Sequence, residues 1–243
     1  MRQLPLGVRL SDRARLASFA PGANAEALAA LRTLIAPGGA GVLWLWGPRG
    51  SGRSHLLQAA CAEVGGAGYF PLEELAALGP ECLAGAAGLP LVAIDDAGRV
   101  AGDAAWERAL LFLYREIEAA GHRLLVAASS APRHAGFALP DLSSRLAAAP
   151  THALQALDEA GQREALRLRA AVRGLDLPED TIAYLQRRHP RDMPTLLALL
   201  ERLDVAALSA QRRLTIPFIR QALDSAADAP PAPPRAGPAP GPG

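Results

Sequence analysis

Short apolar runs alternate with segments of helical periodicity over the first two thirds of the chain. Runs of this length, flanked by glycine and polar residues, favour buried strands. They predict five strands, at 42–46, 68–70, 89–96, 122–130 and near 152–155. Because helical segments separate the strands, the pattern predicts an α/β fold in which a parallel sheet is flanked by helices on both faces.

Three helices are predicted in this part of the chain, one before the first strand and two between strands. The first covers 25–35, and the second follows the glycine-rich stretch after the first strand and ends near Val64. The third begins after Asp103, whose side chain can cap a helix N-terminus, and ends at Gly121.

From residue 158 the strand pattern disappears, and helices are predicted at 158–173, 178–189, 193–208 and 215–223. We therefore divide the chain into an extended segment at 1–10, an α/β subdomain at 11–157 and a small all-helical subdomain at 158–223. Residues 224–243 consist mainly of Pro, Ala and Gly. Proline opposes helix formation and apolar side chains are scarce there, so this tail is predicted to be disordered.

Composition narrows the classes of function. The chain has 243 residues, with 25 basic and 24 acidic side chains and a formal net charge of +1, which does not favour a dedicated DNA-binding module. No apolar run is long enough to span a bilayer, and the first residues lack the apolar core of a signal peptide. Two cysteines are too few for a disulfide framework. We expect a cytoplasmic protein.

The sequence GPRGSGRS at 47–54 follows the first predicted strand and precedes a helix. Glycines there allow the backbone N–H groups to surround a phosphate, and the helix N-terminus adds positive charge. The pattern predicts a phosphate-binding loop for ADP or ATP, with the alternative of a glycine-rich turn in another α/β protein. Arginine replaces the usual lysine at position 53, which casts doubt on rapid hydrolysis. The expected nucleotide contacts are Gly47, Pro48, Arg49, Gly50, Ser51, Gly52, Arg53 and Ser54.

Two carboxylates end the third predicted strand. Asp95 lies where nucleotide sites hold hydrated Mg²⁺, together with the hydroxyl of Ser54. Asp96 follows it and is a candidate base for activating water, although a turn would also accommodate an Asp-Asp pair. Since the carboxyl ends of parallel strands share one edge, Gly47, Asp95 and Ser129–Ser130 are expected to meet in one crevice.

A single arginine, Arg145, lies in the segment 139–146, after the core strands. A lone arginine of this kind is usually a solvated surface charge. In nucleotidases that pair or form rings, however, an arginine at this place reaches the nucleotide of a neighbouring subunit, and such a finger contributes about 10³–10⁵ in rate.

Together these motifs resemble those of AAA+ ATPases, and more narrowly the clade of the DnaA replication initiators. The segment 19–24 is similar to that clade's F-x-x-G-x-N motif, so the resemblance places Asn24 near the adenine. Residues 45–57, 139–146 and 211–218 look like the Hda family of DnaA regulatory inactivators. The resemblance covers about residues 3–223 and includes a helical lid, but not the DNA-reading domain of full initiators.

The first residues, QLPLGV at 3–8, resemble a peptide that docks on the bacterial sliding clamp, the beta subunit of DNA polymerase III. An extended segment can place apolar side chains in a groove and bond at its rim. Such a hexapeptide alone would usually be a frayed terminus, but its place on this fold favours docking. The expected clamp contacts are Gln3, Leu4, Leu6 and Val8.

The resemblance implies a negative regulator of replication initiation. Held on DNA only indirectly, through the clamp and thus near the nucleoid, it would stimulate hydrolysis of ATP bound to DnaA, with Arg145 acting in trans. Its own ADP or ATP would control a nucleotide-dependent oligomer, and its own turnover would be weak. One departure is Pro194, where the family has a lid arginine; Arg191 is a candidate substitute.

Two other functions compete with this one. An autonomous AAA+ ATPase, acting as a helicase loader or a replication remodelling factor, would turn over ATP by itself and would need no clamp peptide. An accessory factor that binds DNA directly is disfavoured by the nearly neutral charge.

Overall fold

The computed structural model of the protein describes residues 14–189, 192–210, 216–217 and 219–220. The described residues form a sheet of five strands, which are β1 Gly41–Trp46, β2 Gly68–Pro71, β3 Leu91–Asp95, β4 Arg123–Ala128 and β5 Thr151–Ala153. Their order in the sheet is β2-β3-β4-β1-β5, and every neighbouring pair is parallel. The predicted α/β fold with a parallel sheet is confirmed.

Helices cover both faces of the sheet and continue beyond it. They are α1 Ala25–Ile35, α2 Arg53–Glu63, α3 Leu72–Leu75, α4 Ala104–Ala120, α5 Pro140–Ala148, α6 Glu159–Val172, α7 Glu179–Arg188 and α8 Met193–Ala210. The N-terminus of α4 has the predicted cap, because the Asp103 carboxylate accepts hydrogen bonds from the N–H groups of Ala105 and Trp106. Gly121 ends the helix in a left-handed conformation with φ 66°.

Alternation along β1 separates two apolar cores. Trp44 points into one core with Leu113 of α4, whereas Leu43 and Leu45 point into the other with Leu57 of α2. Burial on both faces explains why β1 is a continuous apolar run instead of an alternating one.

A third core lies in the helical subdomain formed by α6, α7 and α8. Leu166, Leu185 and Leu200 are fully buried there. Ala20, from the segment before α1, belongs to the same core. The start of the described chain therefore packs against the lid as well as against the sheet.

Helix α5 was not predicted from the sequence, and it corrects the placement of the segment 139–146. That segment lies between β4 and β5, not after the last core strand. Pro140 occupies the first turn, where its missing N–H costs nothing, and Leu142 and Leu146 bury one side. The helix has only nine residues and two large apolar side chains, so its periodic signal is weak.

Candidate nucleotide-binding site

The loop between β1 and α2 has the conformation expected of a phosphate-binding loop. Gly50 and Gly52 have φ of 82° and 95°, a region that side chains other than glycine rarely adopt. A Cβ on Gly52 would lie 2.7 Å from Cε2 of Phe19. The N–H of Ser51 donates to the carbonyl of Pro48, which closes the turn. Because α2 begins at Arg53, its first N–H groups have no partner within the helix and face the loop.

A cleft of about 640 Å³ lies beside this loop. Its lining includes Asp96 after β3 and Ser129 after β4, and the lid contributes Pro194. Of the strand-end residues predicted to meet in one crevice, Ser129 lines this cleft, whereas Gly47, Asp95 and Ser130 are not part of its lining. The predicted phosphate contacts that line the cleft are Arg49, Gly50, Gly52, Arg53 and Ser54. Gly47 and Pro48 lie at the start of the loop, outside this lining.

Two buried polar atoms beside the cleft have no hydrogen-bond partner among the described residues. They are Oγ of Ser51 and Nη1 of Arg53. The Arg53 side chain is only 12% exposed, and its Nη2 lies 3.4 Å from the carboxylate of Asp96. Unsatisfied buried donors are costly, so a bound phosphate would stabilise this arrangement. The residues present thus fit a nucleotide.

Asp96 lines the cleft and has a backbone conformation that residues other than glycine rarely adopt. It is the one described residue other than glycine with positive φ, at 52°. Burial, followed by the neighbouring Asp95, raises the pKa of the Asp96 carboxyl, while Arg53 opposes this shift. The role of Asp96 as a base remains a prediction. To act as a base, the carboxylate would have to leave its ion pair with Arg53.

Asp95 is more deeply placed than Asp96 and is absent from the cleft lining. It is 2% exposed. The hydroxyl of Tyr69 donates to it at 2.7 Å, and the N–H of Asp96 donates to its other oxygen at 3.0 Å. Burial and the Asp95 charge raise the pKa of Tyr69, so the phenol remains a donor. Among the described residues no cluster of three acidic, histidine or cysteine side chains forms a metal site by itself.

The sequence did not predict the contact of Tyr69 with Asp95, and only the pairing of the two strands could have indicated it. Tyr69 lies on β2, which pairs with β3, so a polar side chain on β2 lies close to the carboxylate that ends β3. The predicted contact of Asp95 with Mg²⁺ remains a prediction. Mg²⁺ commonly uses one or two carboxylates together with waters and substrate phosphates, which is compatible with such a site.

Asn24 joins two segments of the backbone and does not line the cleft. Its amide nitrogen donates to the carbonyl of Gln155 at 3.0 Å, and its amide oxygen accepts from the N–H of Gln155 at 2.7 Å. These bonds fasten the start of α1 to the segment between β5 and α6. The predicted contact of Asn24 with adenine is untested, and the observed contacts give the residue a structural role.

His55 and Arg169 form a second unpredicted pair. The ring of His55 stacks on Phe19, with centroids 5.9 Å apart. Nε2 of His55 lies 3.0 Å from the carbonyl oxygen of Arg15, so Nε2 must carry the proton and donate. Nδ1 is then free to accept from Nη2 of Arg169 in α6. Burial, followed by Arg169, lowers the pKa of His55 to about 4.

Arg145 lies on α5, away from the cleft lining. Its Nε donates to Asp141 at 2.9 Å, its Nη1 donates to Glu118 at 3.1 Å, and its guanidinium lies 5.7 Å from the ring centre of Tyr114. Asp141 is shared with Arg115 of α4. The hydrogen bond from Arg145 is the main cause that lowers the pKa of Asp141. Arg145 is therefore a paired surface cation in the isolated chain.

Some predictions fall on residues that the structure does not describe. These are the clamp contacts Gln3, Leu4, Leu6 and Val8, the possible lid substitute Arg191, and the tail at 224–243. In the part of the chain that is described, no helix has the length and apolar character that crossing a membrane requires.

Comparison with known proteins agrees with this geometry. Residues 152–223 match the family model of the Hda lid domain. Domain III of the replication initiation protein DnaA from Thermotoga maritima is 19% identical with a TM-score of 0.73, over 90% of this chain and 98% of that one. AMPPCP-bound DnaA from Aquifex aeolicus is 19% identical with a TM-score of 0.64, over 80% and 67% of the two chains.

A branch-migration motor shows the same architecture. RuvB from Thermotoga maritima is 16% identical with a TM-score of 0.58, over 83% of this chain and 66% of that one. These similarities show the AAA+ fold. The match over residues 152–223 adds a similarity of the helical subdomain to the Hda lid domain.

Proposed function

We propose that this AAA+ protein, related to Hda through its lid, regulates replication initiation by stimulating hydrolysis of ATP bound to DnaA. The observation that carries the proposal is the separation of two arginine sites. Arg53 faces the chain's own cleft, whereas Arg145 lies on another surface and does not line that cleft. A guanidinium in that position is suited to a nucleotide held by a different molecule.

The cleft would hold the protein's own ADP or ATP. The loop N–H groups and Arg53 would bind its phosphates, and a fold relative binds the nucleotide analogue AMPPCP. Ser54 and Asp95 would hold Mg²⁺, which neutralises phosphate charge when it is bound. Hydroxyl, carboxylate and phosphate oxygens are ligands suited to this ion.

Turnover in this cleft is expected to be slow. Arg53 offers a planar fork in place of a compact ammonium, so its charge does not sit where lysine would place it. Asp96 is paired with that same guanidinium, and it is one methylene shorter than glutamate. The bound nucleotide then acts as a structural ligand that fixes the sheet and the lid relative to each other.

Arg145 would leave its present partners when DnaA docks. Its ion pairs with Asp141 and Glu118 are partly exposed, and pairs of that kind contribute little to stability. The triphosphate of DnaA offers more negative charge than these carboxylates. Phe112, which is 64% exposed on α4, lies one turn before Arg115 and gives this surface an apolar contact for DnaA.

The sliding clamp would determine where in the cell this protein acts. Gln3, Leu4, Leu6 and Val8 are proposed to dock on the beta subunit of DNA polymerase III, which would hold the protein on DNA and in the nucleoid. Regulation would then follow replication, because only a loaded clamp brings the protein to DnaA. A nucleotide-dependent homo-oligomer could hide or release the Arg145 surface.

Two matched variants test the finger. Arg145→Ala should remove most of the stimulation of DnaA, by about 10³-fold if the arginine acts in the transition state. Arg115→Ala removes a neighbouring cation that shares Asp141 and should retain most of the stimulation. Equal losses in both variants would indicate a general basic patch, and full activity of Arg145→Ala would exclude the finger.

An autonomous ATPase is the second candidate, favoured by the presence of Asp96 in the cleft. It predicts steady turnover by the isolated protein and loss of that turnover in Asp96→Asn. The main proposal instead predicts slow turnover, and stimulation of DnaA that survives this substitution.

A further inference from the structure

Arg169 is a cation of the lid that lines the cleft and forms no ion pair with any residue that the structure describes. It lies on α6 and lines the cleft opposite the phosphate loop. No described carboxylate lies within 4.0 Å of its guanidinium. Arg173, one turn further along the same helix, differs in this respect, because it pairs with Glu201 at 3.0 Å and with Asp204 at 3.4 Å.

The one described hydrogen bond of the Arg169 side chain is to a group without charge. Nη2 donates to Nδ1 of His55, and that ring is neutral because a nitrogen that accepts this bond carries no proton. Burial, followed by the repulsion of Arg173, lowers the pKa of the Arg169 guanidinium, and the charge of Glu201, which is paired with Arg173, only partly opposes this shift. A half-buried cation with only a neutral acceptor is unfavourable, so an anion in the cleft would find a ready partner.

The other lid side chains at the cleft cannot provide this contact. Met193, Pro194 and Leu197 have no side-chain donor, and Glu201 would repel phosphate. Within the described part of the lid, Arg169 is therefore the one cationic group at the cleft. Its Nε and Nη1 have no acceptor among the described residues, so they remain available to a ligand.

We propose that Arg169 binds the phosphate chain of the nucleotide, and that this contact couples the lid to the phosphate loop. The inference rests on the proposed binding of an adenine nucleotide in the cleft. The neutral ring of His55 would hold the guanidinium in place from α2, so that lid and loop present Arg169 and Arg53 to one anion. A guanidinium forms directed, paired bonds with phosphate oxygens, which suits a joint between two subdomains.

The test compares phosphate-bearing and phosphate-free ligands. Calorimetric titrations with ADP, AMP, pyrophosphate and adenosine would be made on the full chain, on Arg169→Gln and on Arg169→Lys. Arg167→Gln is the control, because Arg167 lies on the same helix with a half-exposed side chain paired to Glu164 and Glu179. Arg169→Gln should weaken ADP and pyrophosphate binding about 10- to 100-fold, as expected for a lost charged hydrogen bond.

Adenosine binding should change less than about threefold in Arg169→Gln, and Arg169→Lys should recover part of the affinity for ADP. The control should match the wild type for every ligand. ADP affinity in Arg169→Gln within about threefold of wild type would overturn the inference. Equal weakening of ADP and adenosine would also overturn it, since it would indicate a contact with the base or a merely structural role.

The outcome separates this inference from the proposed function. If the wild type binds ADP but Arg169→Gln binds it equally well, the inference fails and the function stands. If Arg169→Gln selectively loses ADP but the wild type does not stimulate DnaA, the inference stands and the function fails. A wild type that binds neither ADP nor pyrophosphate would exclude both.

Discussion

Arg53 and Arg145 occupy opposite surroundings, although both are proposed to meet phosphate. Arg53 is 12% exposed and has one carboxylate at 3.4 Å and one unsatisfied nitrogen. Arg145 is 33% exposed and is held by two carboxylates and the face of Tyr114. The buried arginine needs a resident anion, whereas the exposed one can exchange partners at little cost. The first site suits a bound cofactor, and the second suits a transient encounter.

The largest effect is expected from a substitution that distorts the phosphate-binding loop and leaves the Arg145 surface unchanged. Gly52→Ala forces a side chain into a positive-φ position and places its Cβ 2.7 Å from Phe19. We expect ADP affinity to fall at least about 100-fold, because the loop N–H groups would no longer converge. Gly65→Ala is the control, since nothing lies within 4 Å of its added Cβ. Titration calorimetry checks this, and wild-type affinity in Gly52→Ala would contradict the assigned loop.

Between pH 6.5 and 4, acid should weaken the fold through His55, which lines the cleft, because Asp141 beside Arg145 has a lowered pKa and stays ionised in that range. The folded pKa of His55 is about 4, below its ordinary value of 6.5. The unfolded chain therefore binds more protons between these values, and stability falls as pH drops from 6.5 to 4, by up to about 3 kcal/mol. Asp96, with a raised pKa, contributes in the opposite direction.

Chemical denaturation of the wild type and of His55→Gln between pH 4 and 7 isolates this contribution. The variant should lose less stability than the wild type on acidification. Parallel curves would show that His55 is not buried in its neutral form.

A smaller effect on stability is expected when buried Asp95 loses its hydrogen bond from Tyr69. Tyr69→Phe removes the hydroxyl that donates to buried Asp95 and should cost about 1.5–3 kcal/mol in the free energy of unfolding. Tyr184→Phe is a matched control, because the Tyr184 hydroxyl is buried without a described partner. Urea unfolding measures both. A Tyr69→Phe variant as stable as the control would show that the hydroxyl does not support Asp95.

The smallest effect should be that of Arg145 on stability. Arg145→Ala removes partly exposed ion pairs from α5, so the midpoint of thermal unfolding should change little. ADP should still raise that midpoint as much as in the wild type. A large loss of stability in this variant would mean that the arginine is structural and that its effects on DnaA are indirect.

Local patterns sufficed to predict the sheet and the phosphate loop. Gly50, Gly52 and Arg53 lie together in sequence and in space, so their arrangement follows from a single strand, turn and helix. The sequence pattern did not predict helix α5, because its apolar signal rests on Leu142 and Leu146 alone, although Pro140 is a typical helix start.

Contacts between distant segments could not be predicted in the same way. Tyr69 contacts Asp95 from the neighbouring strand, and Arg169 contacts His55 across 114 positions of sequence. Each contact depends on how the lid or the strands pack, which periodicity does not specify. The contact of Asn24 with Gln155 could not be predicted for the same reason. The two residues become neighbours only when the segment after β5 packs beside the start of α1.

The most direct measurement follows which nucleotide is hydrolysed. DnaA would be loaded with labelled ATP and this protein with unlabelled ADP, and the two would be mixed in the presence of clamp-loaded DNA. We predict rapid single-turnover conversion of the label to ADP, dependent on the clamp and on Arg145. Label that persists at the rate of DnaA alone, or that is lost equally fast with Arg145→Ala, would contradict the proposal that this protein completes the active site of DnaA.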